Sequence, residues 1–182
     1  MEEISHRKMA APLVWGATVA EVEAPHAGEK FAAPGSTRAV RAVDVDADPQ
    51  TVFLWLCQLR RAPYSYDLID NLGRRSPRDA DPSMTDLHVG QTFMIGFRLI
   101  DFEPGRSITV MPKEGAATKV MGPQVLTYEA RAASTHLTRL VCILEIPPKR
   151  GPGRSARLQA GLWGDLVMMR KQLRTLAALA ER

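Results

Sequence analysis

From about Ser155 onward, Leu158, Leu162, Leu166, Met169, Leu173, Leu176 and Leu179 recur at spacings of three and four. That spacing sets them on one apolar stripe of a helix about six turns long, roughly 33 Å at ~1.5 Å per residue. A single helix cannot bury such a stripe by itself, so it must lie across another element. Gly161 and Gly164 interrupt its first half, and each weakens a helix by about 1 kcal/mol relative to Ala. Two readings of these glycines stay open: room for a ligand, or close packing of helix on sheet. Ahead of the helix, PPKRGPGR at 147–154 reads as a hard stop and a basic loop.

The element under the helix is legible upstream. TRAVRAVDV at Thr37–Val45 alternates as a half-buried strand. Asp48 is placed to accept from the free amides of the following turn, and Pro49 suits a first helical position. Val52, Phe53, Leu56 and Leu59 then fall on one face, which predicts a helix over about 49–59. Pro63 separates it from a second short helix, about 66–72, closed by Gly73. After RRSPRDADPSMTD, strand patterns return at 91–95, 97–102, 107–111, 124–131 and 137–146. Glu103-Pro104-Gly105-Arg106 reads as a tight turn, and Ala133-Ser134-Thr135 as the turn of the last hairpin. Short strands joined by turns predict an antiparallel meander. Residues 1–36 read as an N-terminal extension to a single domain over 37–182, with Val14-Trp15-Gly16 docking on that domain and 25–35 as loop.

Composition removes several classes of function. The net charge is +4, carried largely by Arg60, Arg61, Arg74, Arg75, Arg78 and the run 149–157. Neither run holds an aromatic residue or a recognition motif, so nucleic acid is not expected as a partner. Cys57 and Cys142 fall in apolar elements and read as buried small hydrophobes. The histidines His6, His26, His88 and His136 are scattered without metal-ligand spacing, so no metal site is expected. Phosphate-cradling, dinucleotide-binding and nucleophile-elbow motifs are missing. No apolar run approaches the ~20 residues needed to span a bilayer, so membrane insertion is not expected. The first residues carry two acids and no unbroken apolar stretch, which gives the expectation of a reduced, cytoplasmic protein.

The segment PYSYDLIDNLG at Pro63–Gly73 stands out. Through Tyr64, Tyr66, Asp67, Asn71 and Gly73, and through the earlier Trp15-Gly16-Ala17-Thr18, the chain from Trp15 on resembles the SRPBCC superfamily. That superfamily includes START, birch-allergen-like and polyketide cyclase/dehydrase and lipid transport proteins, and bacterial members of the last group are the most similar. The resemblance implies an α+β helix-grip fold: a curved antiparallel sheet wrapped around a long C-terminal helix, with two short helices after the first strand. It also implies binding of a small hydrophobic molecule (lipid, polyketide or isoprenoid-like) in an internal cavity, with no cofactor. The alternative is a polyketide cyclase or aromatase-type enzyme acting by proton transfer in that cavity. A third class is a surface-based interaction protein with a filled interior; the oligomeric state is left open.

Candidate ligand contacts are Tyr64, Tyr66, Asp67 and Asn71 at the mouth. Strand alternation adds Phe93, Phe97, Leu99, Val110, Leu126, Tyr128, Leu140, Cys142 and Leu144, and the long helix adds Trp163 and Met169. Met94, Met111, Met121 and Met168 also suit an adaptable pocket. For an enzyme, Tyr66, Asp67 or Arg98 would polarise a carbonyl or move a proton. The competing reading has Asp67 or Asn71 capping a short helix while the tyrosines pack. The strand charges Arg98, Glu129, Arg139 and Glu145 are expected mainly on the solvent face in cross-strand pairs.

Overall fold

The computed structural model describes residues 9–115, 122–148, 151 and 153–182, so His6, Met121, Lys149 and Arg150 lie outside it, as does the side chain of Asp70. The elements run β1 (Val14–Trp15), α1 (Val19–Glu23), β2 (Thr37–Val45), α2 (Pro49–Cys57), α3 (Asp67–Asp70), β3 (Thr92–Phe93), β4 (Phe97–Glu103), β5 (Ser107–Pro112), β6 (Val125–Ala132), β7 (Thr138–Ile146) and α4 (Arg154–Ala180). The strands form one curved, open sheet in the order β1-β2-β7-β6-β5-β4-β3. This is the α+β helix-grip architecture, with α4 lying across the concave face.

Local chemistry sets the boundaries. The Asp48 carboxylate accepts from the amides of Gln50 and Thr51 at 2.9 and 3.0 Å, which starts α2 at Pro49. The one-turn α3 ends where Gly73, at φ +75°, donates its amide to the Asp67 carbonyl at 2.8 Å. The strand expected over 91–95 is cut to Thr92–Phe93. Met94 and Ile95 turn left-handed there, at φ +45° and +62°, and Gly96 donates back to the Met94 carbonyl. The β-branched Ile95 is strained in that conformation, a turn that alternation alone does not reveal. In β4 the register slips between Leu99 and Asp101, which gives a bulge at Ile100.

Side chains of the concave face meet the stripe of α4. Leu162, Leu166, Met169, Leu173, Leu176 and Leu179 are all buried, and Leu158 is partly so. All but Leu166 belong to one cluster with Ala39, Val45, Leu99, Ile108, Val110 and Leu140 from the sheet and with residues of α2.

The N-terminal segment belongs to the sheet. Its strand β1 runs parallel to β2, with Val14 beside Val40, the one parallel pairing in a sheet otherwise antiparallel. Thr18 and Glu21 form a capping box on α1, and Arg139 clamps that helix through both Glu21 carboxylate oxygens and the Gly16 carbonyl. The chain then crosses the convex face. His26 Nε2 lies 3.2 Å from Glu145, and the Ala27 amide donates to Glu129 at 3.3 Å. Gly28 sits so close to Thr127 that a Cβ would collide with its hydroxyl. Glu129 and Glu145, expected to face solvent, are therefore only 6 % and 4 % exposed. Glu145 does pair across strands with Arg38 at 2.6 Å, and Arg139 with Asp44 at 3.0 Å.

Candidate functional site

Register aligns one row of side chains across the concave face. Arg41 on β2 pairs with Cys142 on β7, and Cys142 pairs with Tyr128 on β6. Above the row, α4 brings Asp165 and Gln172, two turns apart on one helical face. Arg41 Nη2 donates to Asp165 Oδ2 at 3.0 Å, and Nη1 donates to the carbonyls of Leu13 and Val40. Tyr128 donates to Gln172 Oε1 at 2.6 Å, while Gln172 Nε2 donates to the Pro63 carbonyl at 2.6 Å. Cross-links between sheet, helix and the α2–α3 connection are thus polar, buried and nearly fully satisfied, although Arg41 Nε has no partner among the described residues.

Beside this row the helix and sheet do not close. A cavity of about 430 Å³ opens between Leu126, Leu144 and Ile146 of the sheet and Leu158, Gly161, Met168 and Met169 of α4. Met94 and Phe97 of the β3–β4 hairpin wall one side, and Pro63 and Ser65 another. Polar atoms enter chiefly from Tyr128, Asp165 and Gln172, with Gln124 and Arg157 also on the wall. Gly161 contributes by absence: a Cβ there would meet nothing within 4 Å.

Asp165 is the carboxylic acid of the cavity wall among the described residues. Burial pushes its carboxyl up to about 6, against the pull of Arg41. Arg41 is 1 % exposed at its side chain and Asp165 20 %, so the carboxylate is the open member of the pair. Its Oδ1 takes no donor among the described residues, and the residue lines the cavity. Burial likewise raises Tyr128 and Cys142 well above their ordinary values, which keeps the phenol and the thiol protonated.

Of the residues singled out in the sequence, Phe97, Tyr128 and Met169 line the cavity, together with Leu126 and Leu144. Phe93, Leu99, Val110 and Leu140 are fully buried in the packed core and do not reach it. Trp163 points away from the sheet and is 51 % exposed, because it falls off the apolar stripe. Arg98 is exposed on the convex face, opposite in parity to Phe97 and Leu99. Tyr64, Tyr66 and Asp67 line a separate surface groove of about 640 Å³ that runs along the other side of α4. Asp67 accepts from the Ser76 amide and hydroxyl, and although burial opposes it these bonds hold its carboxyl below the usual range. Asn71 turns inward and donates to the Arg74 carbonyl. These two side chains tie down a loop.

Arg41, Asp165 and Gln172 were not singled out by sequence reasoning. A signal was present: Arg41 shares the parity of Ala39, Val43 and Val45, while Asp165 and Gln172 each precede a leucine of the stripe. A polar residue on an apolar face needs a partner inside.

No family model matches the chain, and no curated protein sequence matches it. Solved structures do. A Thermobifida fusca protein determined by solution NMR is similar over 79 % of this chain and 92 % of its own, at 14 % identity and a TM-score of 0.53. At that identity the likeness shows the fold alone. The Zhui aromatase/cyclase from Streptomyces sp. R1128 is similar over 81 % of this chain and 94 % of its own, at 17 % identity and a TM-score of 0.48. A Mesorhizobium loti protein is similar over 78 % and 95 %, at 14 % identity and a TM-score of 0.48.

Proposed function

We propose that the chain binds a small, largely apolar molecule of lipid, polyketide or isoprenoid-like character between α4 and the sheet, as a member of the SRPBCC superfamily would. One observation carries this reading: a cavity of about 430 Å³ with mainly aliphatic and methionine walls and a polar group of Asp165, Tyr128 and Gln172 among its lining residues. That volume falls in the range of roughly 300–1,000 Å³ usual for small-molecule sites. Burial of apolar surface supplies affinity, and the free Asp165 oxygen orients a ligand hydroxyl. Native mass spectrometry of protein purified without detergent, followed by organic extraction, tests it directly; a retained apolar compound supports the reading.

The glycines of α4 supply the control. In Gly161→Leu the new side chain enters the cavity, and apolar-probe affinity is expected to fall about tenfold or more from lost space. Gly164 gains the same helix propensity but lies off the cavity wall, so Gly164→Leu keeps wild-type affinity. Equal affinity in both variants would place the probe elsewhere and sink the cavity reading.

An enzymatic reading is favoured by one further observation, the raised carboxyl of Asp165 on the cavity wall. A carboxyl near 6 exchanges a proton readily at neutral pH, so Asp165 is the group to carry proton transfer in a cyclase-type reaction. Tyr66, Asp67 and Arg98 stand outside the cavity. Asp165→Asn is expected to keep probe binding and abolish conversion of a poly-β-ketone analogue. Undiminished conversion in that variant rules the reading out.

A further inference from the structure

The loop after α2 is built inside out. Leu68, Ile69 and Leu72 are 84 %, 71 % and 80 % exposed, while the polar Asn71 between them is 5 % exposed. The inward polar groups hold the segment: Asp67 takes two bonds from Ser76, Asn71 takes the Arg74 carbonyl, and Gly73 donates back to Asp67. Leu72 is even held at φ +53°, a left-handed conformation that disfavours a side-chain-bearing residue. The aliphatic tip is thus displayed by a fixed loop.

Its surroundings are cationic. Arg74, Arg75 and Arg78 follow the tip and are exposed. Arg78 also lines the groove beside α4, whose other wall presents Arg170, Lys171 and Arg174. Arg170 and Arg174 stack over the Trp15 ring at 5.1 and 5.2 Å, and none of these cations has a carboxylate within ion-pair distance among the described residues. The carboxylate described in that groove, Asp67, spends its bonds on Ser76.

We propose that this tip and groove dock on an anionic phospholipid surface, with Leu68, Ile69 and Leu72 entering the headgroup–acyl boundary and the arginines and lysine meeting lipid phosphates. Aliphatic side chains at the centre of a basic rim match such a surface on both counts. A second copy of the chain would bring like charges together, and a nucleic acid would leave the aliphatic tip in water. Among the described residues no helix is long and apolar enough to cross a membrane, so the contact is peripheral. Ser65, three residues before Leu68, lines both the groove and the cavity. Docking therefore sets one wall of the cavity next to the bilayer, but it does not depend on the cavity being filled.

The test is co-sedimentation of the full chain with phosphatidylcholine vesicles, plain or containing about one-third phosphatidylglycerol. Binding is expected on the anionic vesicles and to be about tenfold or more weaker on the plain ones. The triple variant Leu68→Ser, Ile69→Ser, Leu72→Ser should lose on the order of a hundredfold in partitioning while keeping its thermal melt, since these side chains are solvated already. Neutralising Arg74, Arg75 and Arg78 to Gln should weaken binding to anionic vesicles alone. The proposal is overturned if wild-type protein stays in the supernatant, or if the serine variant sediments as well as wild type. It is also overturned if sedimentation velocity shows a wild-type dimer that the serine variant lacks, since the tip then belongs to a second copy. Apolar-probe binding, measured without vesicles, separates failure here from failure of the cavity reading.

Discussion

At Asp165 burial and an arginine act on the same carboxyl in opposite directions, and burial prevails. The group goes from an ordinary 3.8 up to about 6, so the folded chain holds its proton more tightly than the unfolded chain does. The stability this lends is fully present below about pH 4 and lost as pH rises through about 6. In Asp165→Asn that slope disappears. Denaturant midpoints measured from pH 4 to pH 7 should show wild type losing stability relative to the variant, by at most about 3 kcal/mol at ~1.4 kcal/mol per pH unit. The pull of Arg41 on the ionised carboxylate is already contained in that raised value and titrates with it. A gap of constant size would mean that Asp165 titrates normally.

Among the elements, α1 depends most on a single clamp. Arg139 reaches from β7 to both carboxylate oxygens of Glu21, and those hydrogen bonds, reinforced by the Thr18 amide and hydroxyl, hold the carboxyl down to about 2. The sign is opposite to that of Asp165. Here stability is present above about 4.5 and lost as pH falls through about 2. Glu21→Gln is therefore expected to be less stable than wild type at neutral pH, with the difference shrinking as the solution is acidified. Amide hydrogen exchange in Val19–Glu23 would locate the loss in α1; protection unchanged at pH 7 would show that the clamp contributes nothing. The long strands and α4 were legible in advance because each carries its own periodicity over many residues. The short β1 was not expected as a strand, and β3 was expected too long, since two residues hold no period and are fixed by what pairs with them.

For the whole molecule, the covered convex face matters most. Residues 13–33 bury Val40, Ala42, Val141 and Ile143 under Ala17 and Val22, supply the Leu13 carbonyl to Arg41, and cover Glu129 and Glu145. A chain beginning at Ser36 would expose this second apolar cluster and lose a partner of a buried guanidinium. It should be destabilised by several kcal/mol at about 25 cal/mol per Å² of apolar surface, and should bind an apolar dye at the bared sheet. A urea midpoint equal to that of the full chain would show that the N-terminal segment is a passive attachment.

Local spacing and turn chemistry were enough to read the long C-terminal helix, the strand over Thr37–Val45, the caps of α2 and α3 and the meander from the residues alone. Which polar residues enter the interior was settled by long-range packing. Arg41 and Asp165 lie 124 positions apart, and no local pattern couples them; they meet because strand register and helix placement make each the other's ion-pair partner among the described residues. The same long-range packing set the conspicuous Tyr64, Tyr66 and Asp67 on the surface groove, while their neighbour Ser65 reaches both groove and cavity. Local periodicity reports which face of an element is apolar, whereas the contents of a cavity depend on what the opposing face brings to it.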